Sequence, residues 1–100
     1  MISVVKLEDE ARKIRKEVLR MIVSARAMHI ASSYSIVELL VYLYEDFLHV
    51  DPSLKPDRDR FILSKGWGVS TLYAILARKG FFKKKLLDTY CKDGSALIGA

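Results

Sequence analysis

The sequence holds one cysteine, two prolines and five glycines in 100 residues, and no long unbroken apolar run. Each scarcity excludes a class of protein. The lone thiol, Cys91, has no partner for an intramolecular disulfide, which removes the disulfide-stapled secreted scaffolds and fits a reducing compartment, so the cytoplasm is the expected location. So little Gly and Pro is inconsistent with a collagen-like or low-complexity chain. The most apolar stretch, residues 36–44, is interrupted by Glu38 and is far shorter than the ~20 residues a membrane-spanning helix needs. Residues 1–10 show no basic segment followed by an apolar one, so neither export nor membrane insertion is expected. Histidine is scarce too: His29 and His49 lack a second His or Cys at ligand spacing, and no zinc site is expected.

What is present is a chain that should fold. It is 51% hydrophobic and 29% charged, too apolar for disorder, and its length suits one small domain over residues 1–100. A net charge of +5 leaves acidic partners open without requiring them.

From residue 7 to about residue 28 the residues Leu7, Ala11, Ile14, Val18, Met21, Ile22, Ala25 and Met28 recur at steps of three and four, the stripe of an amphipathic helix. Its outer face pairs Glu8 with Arg12 and Asp9 with Lys13 at i,i+4. Ser35 and Glu38 form an S-x-x-E capping box that predicts a second helix running to just before Asp51, apolar almost all round and so in need of cover from other elements or a partner chain. Pro52 and Pro56 make the following stretch a loop, and Asp57, Arg58, Asp59 and Arg60 read as its local salt bridges. Phe61, Ile62 and Leu63 predict a short buried strand, which needs a partner edge. A third helix is expected after Gly68, ending at Gly80, and a fourth over residues 82 to about 92. The fold class is therefore mostly α, about four helices with at most one short strand.

Several groups carry chemistry on paper. His29 and His49 each end a predicted helix, where a His most often makes a favourable dipole contact. Ser64, Lys65, Gly66, Trp67 and Gly68 follow the strand and open a helix, a layout that can bind phosphate; it is neither a Walker loop nor a dinucleotide fingerprint, and a tight turn with an aromatic plug explains it as well. Lys83, Lys84 and Lys85, with the basic residues of the first helix, could meet nucleic acid, but interleaved acids and the absence of a recognisable motif favour solvated faces. Ser64 and Cys91 have no adjacent base and receive no role.

Three segments taken together resemble one family. Residues 24–35 (S-A-R-A-M-H-I-A-S-S-Y-S), residues 57–68 (D-R-D-R-F-I-L-S-K-G-W-G) and residues 94–99 (G-S-A-L-I-G) are similar in order and spacing to the N-terminal region of transketolases, especially short prokaryotic forms split into subunits. The resemblance implies the start of the thiamine diphosphate-binding α/β fold, and a parent activity that moves two-carbon ketol units between sugar phosphates with thiamine diphosphate and Mg²⁺. The chain departs from the family at the histidines. Met28-His29 stands for G-H, Gly66-Trp67 for the G-H of S-K-G-H, and Gly99-Ala100 for the start of G-H-P, so only His29 keeps the imidazole that contacts cofactor or donor sugar. Indole is a donor only and cannot replace imidazole. The family's G-D-G metal and diphosphate motif is absent from the sequence.

These departures replace special residues with ones suited to helix or packing, which fits a piece trimmed, by nature or by engineering, into a self-standing scaffold. The expectation is thus a transketolase-derived fragment, inactive alone, with no bound cofactor and with His29 as the one catalytic candidate. Homo-oligomerisation is expected from the apolar second helix and the unpaired strand. A separate C-terminal transketolase subunit is the enzymatic alternative, and a basic nucleic-acid-associated module the less favoured one.

Overall fold

The computed structural model describes residues 2–99. Helix α1 (Val4–Ala25) starts at Ser3, whose hydroxyl accepts a hydrogen bond from the Lys6 amide at 3.2 Å and so satisfies one of the free donors of a helix start. The helix begins and ends three residues earlier than the apolar spacing predicts. It closes where Arg26 adopts left-handed angles (φ 53°), its amide donating to the Val23 carbonyl and that of Ala27 to the Ile22 carbonyl. The apolar stripe is the buried face: Ala11, Ile14, Val18, Met21 and Ile22 are buried, Leu7 and Ala25 half-buried, and Met28 falls outside it. On the outer face Asp9 pairs with both Arg12 and Lys13, and the expected Glu8–Arg12 pair does not form.

The second predicted helix, expected from Ser35, starts two residues later and is preceded by a helix the sequence does not predict. A short α2 (Ile30–Tyr34) comes first, then α3 (Val37–Tyr42), which runs into a π-helical turn over Leu43–Phe47 closed by the Leu48 amide on the Leu43 carbonyl at 2.7 Å. The capping box does not form. The Ser35 hydroxyl donates back to the Ser32 carbonyl at 2.9 Å, a local bond that competes with capping, while Glu38 pairs with Arg15 across on α1. Val37, Leu40 and Val41 are buried, yet Leu39, Tyr42 and Phe47 remain exposed, so the all-round apolar helix is covered on one side only.

A 3-10 turn (Gly66–Gly68) leads into α4 (Val69–Arg78). Gly80, at φ 88°, ends it as expected, donating to the Ala77 carbonyl at 3.1 Å while the Phe81 amide reaches the Leu76 carbonyl at 2.9 Å. The predicted fourth helix is a 3-10 segment, Lys84–Thr89, in which the Thr89 hydroxyl donates to the Leu86 carbonyl. The chain then turns back at Cys91 (φ 61°), whose amide donates to the Leu97 carbonyl, and a continued α-helix is not possible there.

No strand is present among the described residues. Residues 61–63 lie unpaired: Phe61 meets Tyr44 edge-on with ring centroids 5.9 Å apart, and Ile62 is 87% exposed. The expected salt bridges of the preceding loop are replaced by bonds to backbone. Arg58 donates to the Leu54 and Lys55 carbonyls, Arg60 to those of Arg58 and Pro56, and the Asp59 carboxylate accepts from the His49 amide at 2.6 Å.

Helix α1 packs across α3 and α4, with the 3-10 segment closing the far end. Met21, Leu40, Leu87, Val18 and Val37 are the largest apolar side chains fully removed from solvent. Ion pairs clasp the elements at the rim: Glu10 with Arg78, Arg20 with Asp88 and Lys79 with Glu45. No helix among the described residues is long and apolar enough to cross a membrane.

Candidate functional site

After Arg26 the chain runs through Ala27 and Met28 to His29, a second non-glycine residue at positive φ (70°) and the cap residue of α2. His29 does not end α1, as the sequence suggests; it sits beyond the turn, half-buried. Two left-handed residues three apart reverse the chain and aim α2 at the start of α4, a local conformation costing about 1 kcal/mol or more at each such residue.

Buried hydroxyls hold α2 to α4. The Ser33 hydroxyl lies 2.5 Å from that of Ser70 and 3.4 Å from the Trp67 carbonyl, and the Thr71 hydroxyl donates to the Ser33 carbonyl at 2.6 Å. All three residues are buried, where unpaired polar groups would be costly, so these bonds act as fixed pins. A Cβ at Gly68 would fall 2.5 Å from the end of the Ile36 side chain, which would have to shift, and at an ordinary 3.5 Å from the Ser32 carbonyl oxygen.

The pins bring together the two residues that occupy the family's G-H and S-K-G-H positions. The His29 and Trp67 rings are stacked with centroids 4.8 Å apart and planes 3° from parallel. Trp67 is 60% exposed, so it is not the buried plug its neighbouring glycines suggest. Two residues before Trp67, the Lys65 ammonium donates to the hydroxyl of Ser35, at the far end of α2 from His29, at 2.7 Å. The result at the stack is an open face of imidazole and indole. Such a face can hydrogen-bond a hydroxylated or anionic ligand through the ring edges, while the indole covers one face of the imidazole.

Met28 and Trp67 both carry exposed side chains, so these replacements, read from the sequence as serving packing, do not enter the core. The Ala100 position lies outside the described residues. Within the third segment, Gly94 takes φ 80°, the Ser95 and Thr89 hydroxyls meet at 2.6 Å, Leu97 is buried, and the Tyr73 hydroxyl donates to the Ile98 carbonyl. His49 is exposed beyond the π-helical turn, and Ser64 and Cys91 are exposed with no base placed on them.

The donor set does not fit a thiamine diphosphate–metal site by itself. No three His, Cys, Asp or Glu side chains among the described residues gather to hold a metal ion, and the imidazole that would face the cofactor is stacked under indole. The basic face of α1 is largely spent on internal pairs, Arg12 and Lys13 with Asp9, Arg15 with Glu38 and Arg20 with Glu17, which weakens the nucleic-acid reading. The Ser33, Ser70 and Thr71 pins have no counterpart in the sequence reading. Their only signal is hydroxyl residues on otherwise apolar helix faces, which ordinarily turn out to solvent.

A family profile described as the transketolase thiamine diphosphate binding domain matches residues 7–93. The 6-deoxy-6-sulfo-D-fructose transketolase subunit of Clostridium sp. (strain MSTE9) is 43% identical over 93 residues, covering 91% of this chain and 34% of that protein. An apulose-4-phosphate transketolase subunit from Phocaeicola vulgatus is 38% identical over 95 residues, covering 93% of this chain and 34% of that protein. Mouse transketolase is 32% identical over 96 residues, covering 93% of this chain and 15% of that protein. The chain thus spans about a third of the length of the two bacterial subunits it matches.

Proposed function

Since the chain belongs to the transketolase N-terminal, thiamine diphosphate-binding family, we propose that it forms the opening wall of a ketol-transfer site whose diphosphate and metal ligands lie outside these 100 residues. The observation that carries this reading is the parallel His29–Trp67 stack, which assembles two of the family's motif positions on one open face. His29 is the group that acts. Held in orientation by the indole, its ring edge donates or accepts a hydrogen bond at a sugar hydroxyl or phosphate of the donor substrate. Lys65, two residues before Trp67, adds a cation for the same anionic groups.

The chain alone does not carry out transfer. It works in the cytoplasm with a separate polypeptide supplying the remainder, a reading supported by the two relatives named as subunits and by the apolar side chains left uncovered, among them Leu39, Phe47 and Ile62. Self-association through the same surface is the second reading, favoured by that exposure alone.

The test has two arms. Trp67 emission, titrated with thiamine diphosphate and Mg²⁺ on the isolated chain, should show no saturable change; saturation would overturn the dependence on other polypeptide. Ketol transfer should then appear when the chain is mixed with the remaining portion of the Clostridium relative together with the polypeptide that completes that enzyme. His29→Ala should lower this transfer by about tenfold to a hundredfold, as the loss of one polar contact to a charged group implies. Transfer indifferent to His29→Ala would remove the role assigned to that residue.

A further inference from the structure

A second concavity, independent of the stack, opens where α1, α4 and the 3-10 segment meet, with a volume of about 310 Å³. It lies at the lower end of the range of roughly 300–1,000 Å³ typical of small-molecule sites. Its floor is apolar: Ile14 from α1, Ala74 and Ala77 from α4, and Leu87 from the 3-10 segment. Its rim is basic, because Lys13, Lys16 and Arg20 recur at helical spacing along one face of α1 and Lys84 faces them from the 3-10 segment.

The charges at this rim are not equivalent. Arg20 forks onto Glu17 through two bonds, at 3.1 and 2.7 Å, and also reaches Asp88 at 2.6 Å. The Glu17 carboxylate, the one acid lining the groove, thus shares its guanidinium with Asp88; the Arg20 hydrogen bonds, with Lys84 acting at longer range, hold it below the ordinary carboxylate range. Lys13 is committed to Asp9 at 3.1 Å and Arg78 to Glu10 at 2.6 and 2.9 Å. Lys16 and Lys84 have no carboxylate within ion-pairing distance among the described residues, although both line the groove. Five cationic side chains against one acid line the groove, and two of them, Lys16 and Lys84, form no ion pair among the described residues, so over the apolar floor the electrostatic complement is an anion and the shape complement an apolar body.

We propose that this groove binds a small amphipathic organic anion: one carboxylate, sulfonate or phosphate head between Lys16 and Lys84, and an aromatic or branched hydrocarbon body on Ile14, Ala77 and Leu87. The lysine stems extend the apolar wall while their ammonium heads stay in water, so head and body of the ligand are recognised by the same two residues. Enclosure by three elements favours a small molecule over a peptide or a nucleic acid strand, neither of which this volume admits beyond a side chain or a base.

The probe is 1-anilinonaphthalene-8-sulfonate, titrated into the 100-residue chain at low salt with its fluorescence as readout. Saturable binding at one equivalent is expected, weakening as salt is raised because the two ammonium groups are exposed. The double variant Lys16→Glu, Lys84→Glu should weaken it by about tenfold or more, consistent with reversing two partly exposed charges. Lys6→Glu, an exposed residue of α1 away from the groove, should change it by less than about twofold. Inorganic phosphate should displace the probe far less well than 1-naphthalenesulfonate does.

Each other result overturns the proposal. Absence of saturation removes the site. An unaffected double variant moves the probe to the exposed apolar residues elsewhere. Equal loss in Lys6→Glu reduces the effect to net charge, and equal competition by phosphate removes the apolar floor from recognition. The neutral pair Lys16→Gln, Lys84→Gln, with an unchanged melting temperature and an intermediate loss, guards against a folding defect. No thiamine diphosphate and no second polypeptide enter the assay, so its outcome is separate from that of the ketol-transfer reading.

Discussion

Gly80 and Arg26 both occupy the left-handed position that closes a helix, at φ 88° and 53°, and each donates its amide to a carbonyl three residues back. Glycine adopts those angles freely, whereas a side chain there is strained, so substitutions at the two sites should act in opposite directions. Gly80→Ala makes only an ordinary van der Waals contact, with Pro52 Cγ at 3.7 Å, yet should cost about 1 kcal/mol from the backbone alone. Arg26→Gly removes a strained side chain that takes part in no ion pair among the described residues, and should add about 0.5 kcal/mol, the relief being partly offset by a more flexible unfolded chain. Thermal melts decide both, since 1 kcal/mol moves the midpoint of a domain this size by about 4–8 °C. Gly80 is legible in the sequence because a glycine after a basic last turn is a helix stop. Arg26 is not, because an arginine forced into glycine's conformation leaves no mark in the residue pattern.

Among the elements, the contrast lies between α3 and the unpaired residues 61–63. Leu40 is 1% exposed on the face of α3 that meets α1 and α4, and Leu40→Ala should cost about 2–5 kcal/mol by leaving a cavity that close-packed neighbours cannot fill. Ile62→Lys should leave the stability of the isolated chain within about 0.5 kcal/mol, since the side chain is already in solvent. The same variant should lower ketol transfer in the reconstituted mixture, where that segment is expected to be covered; urea titration and the transfer assay together check the pair. The apolar spacing that locates α1 and α4 works because a long helix repeats its signal over several turns. The short α2 ahead of α3, the π-helical turn and the 3-10 segment are hidden because each is decided by a few hydrogen bonds, such as Ser35 to the Ser32 carbonyl, that periodicity does not encode. The expected strand fails for a related reason: three apolar residues specify an extended chain but not the edge it pairs with.

At the scale of the whole molecule, the three family segments are legible as motifs, but their consequence is not. The glycines around Trp67 suggest a buried plug, whereas the hydroxyl pins of Ser33, Ser70 and Thr71 hold it exposed against His29, a tertiary outcome that no spacing announces. Charge, by contrast, can be read through to a global property. Asp9, Glu10, Glu17 and Asp88 are each held below the ordinary carboxylate value, first of all by a hydrogen bond from Lys13, Arg78, Arg20 and Arg20 respectively. A carboxyl whose folded value lies below its unfolded one contributes its full stability above the unfolded value, 3.8 for Asp and 4.5 for Glu, and loses it as the pH falls through the folded value. Only Glu10 among these is buried, at 8% exposure, and its pairing with Arg78 joins α1 to α4, so that pair should carry the largest share. Protonating the twelve acids also leaves the seventeen Lys and Arg and both His unopposed, and self-repulsion then works against the compact state. Stability should therefore be level from neutrality down to about pH 5 and fall steeply below about pH 4, with added salt recovering the part due to repulsion and not the part due to lost pairs. Glu10→Gln should be less stable than the unsubstituted chain at about pH 7 and approach it near pH 3; urea melts across that range would refute the assignment if the difference between the two proteins did not shrink with acid.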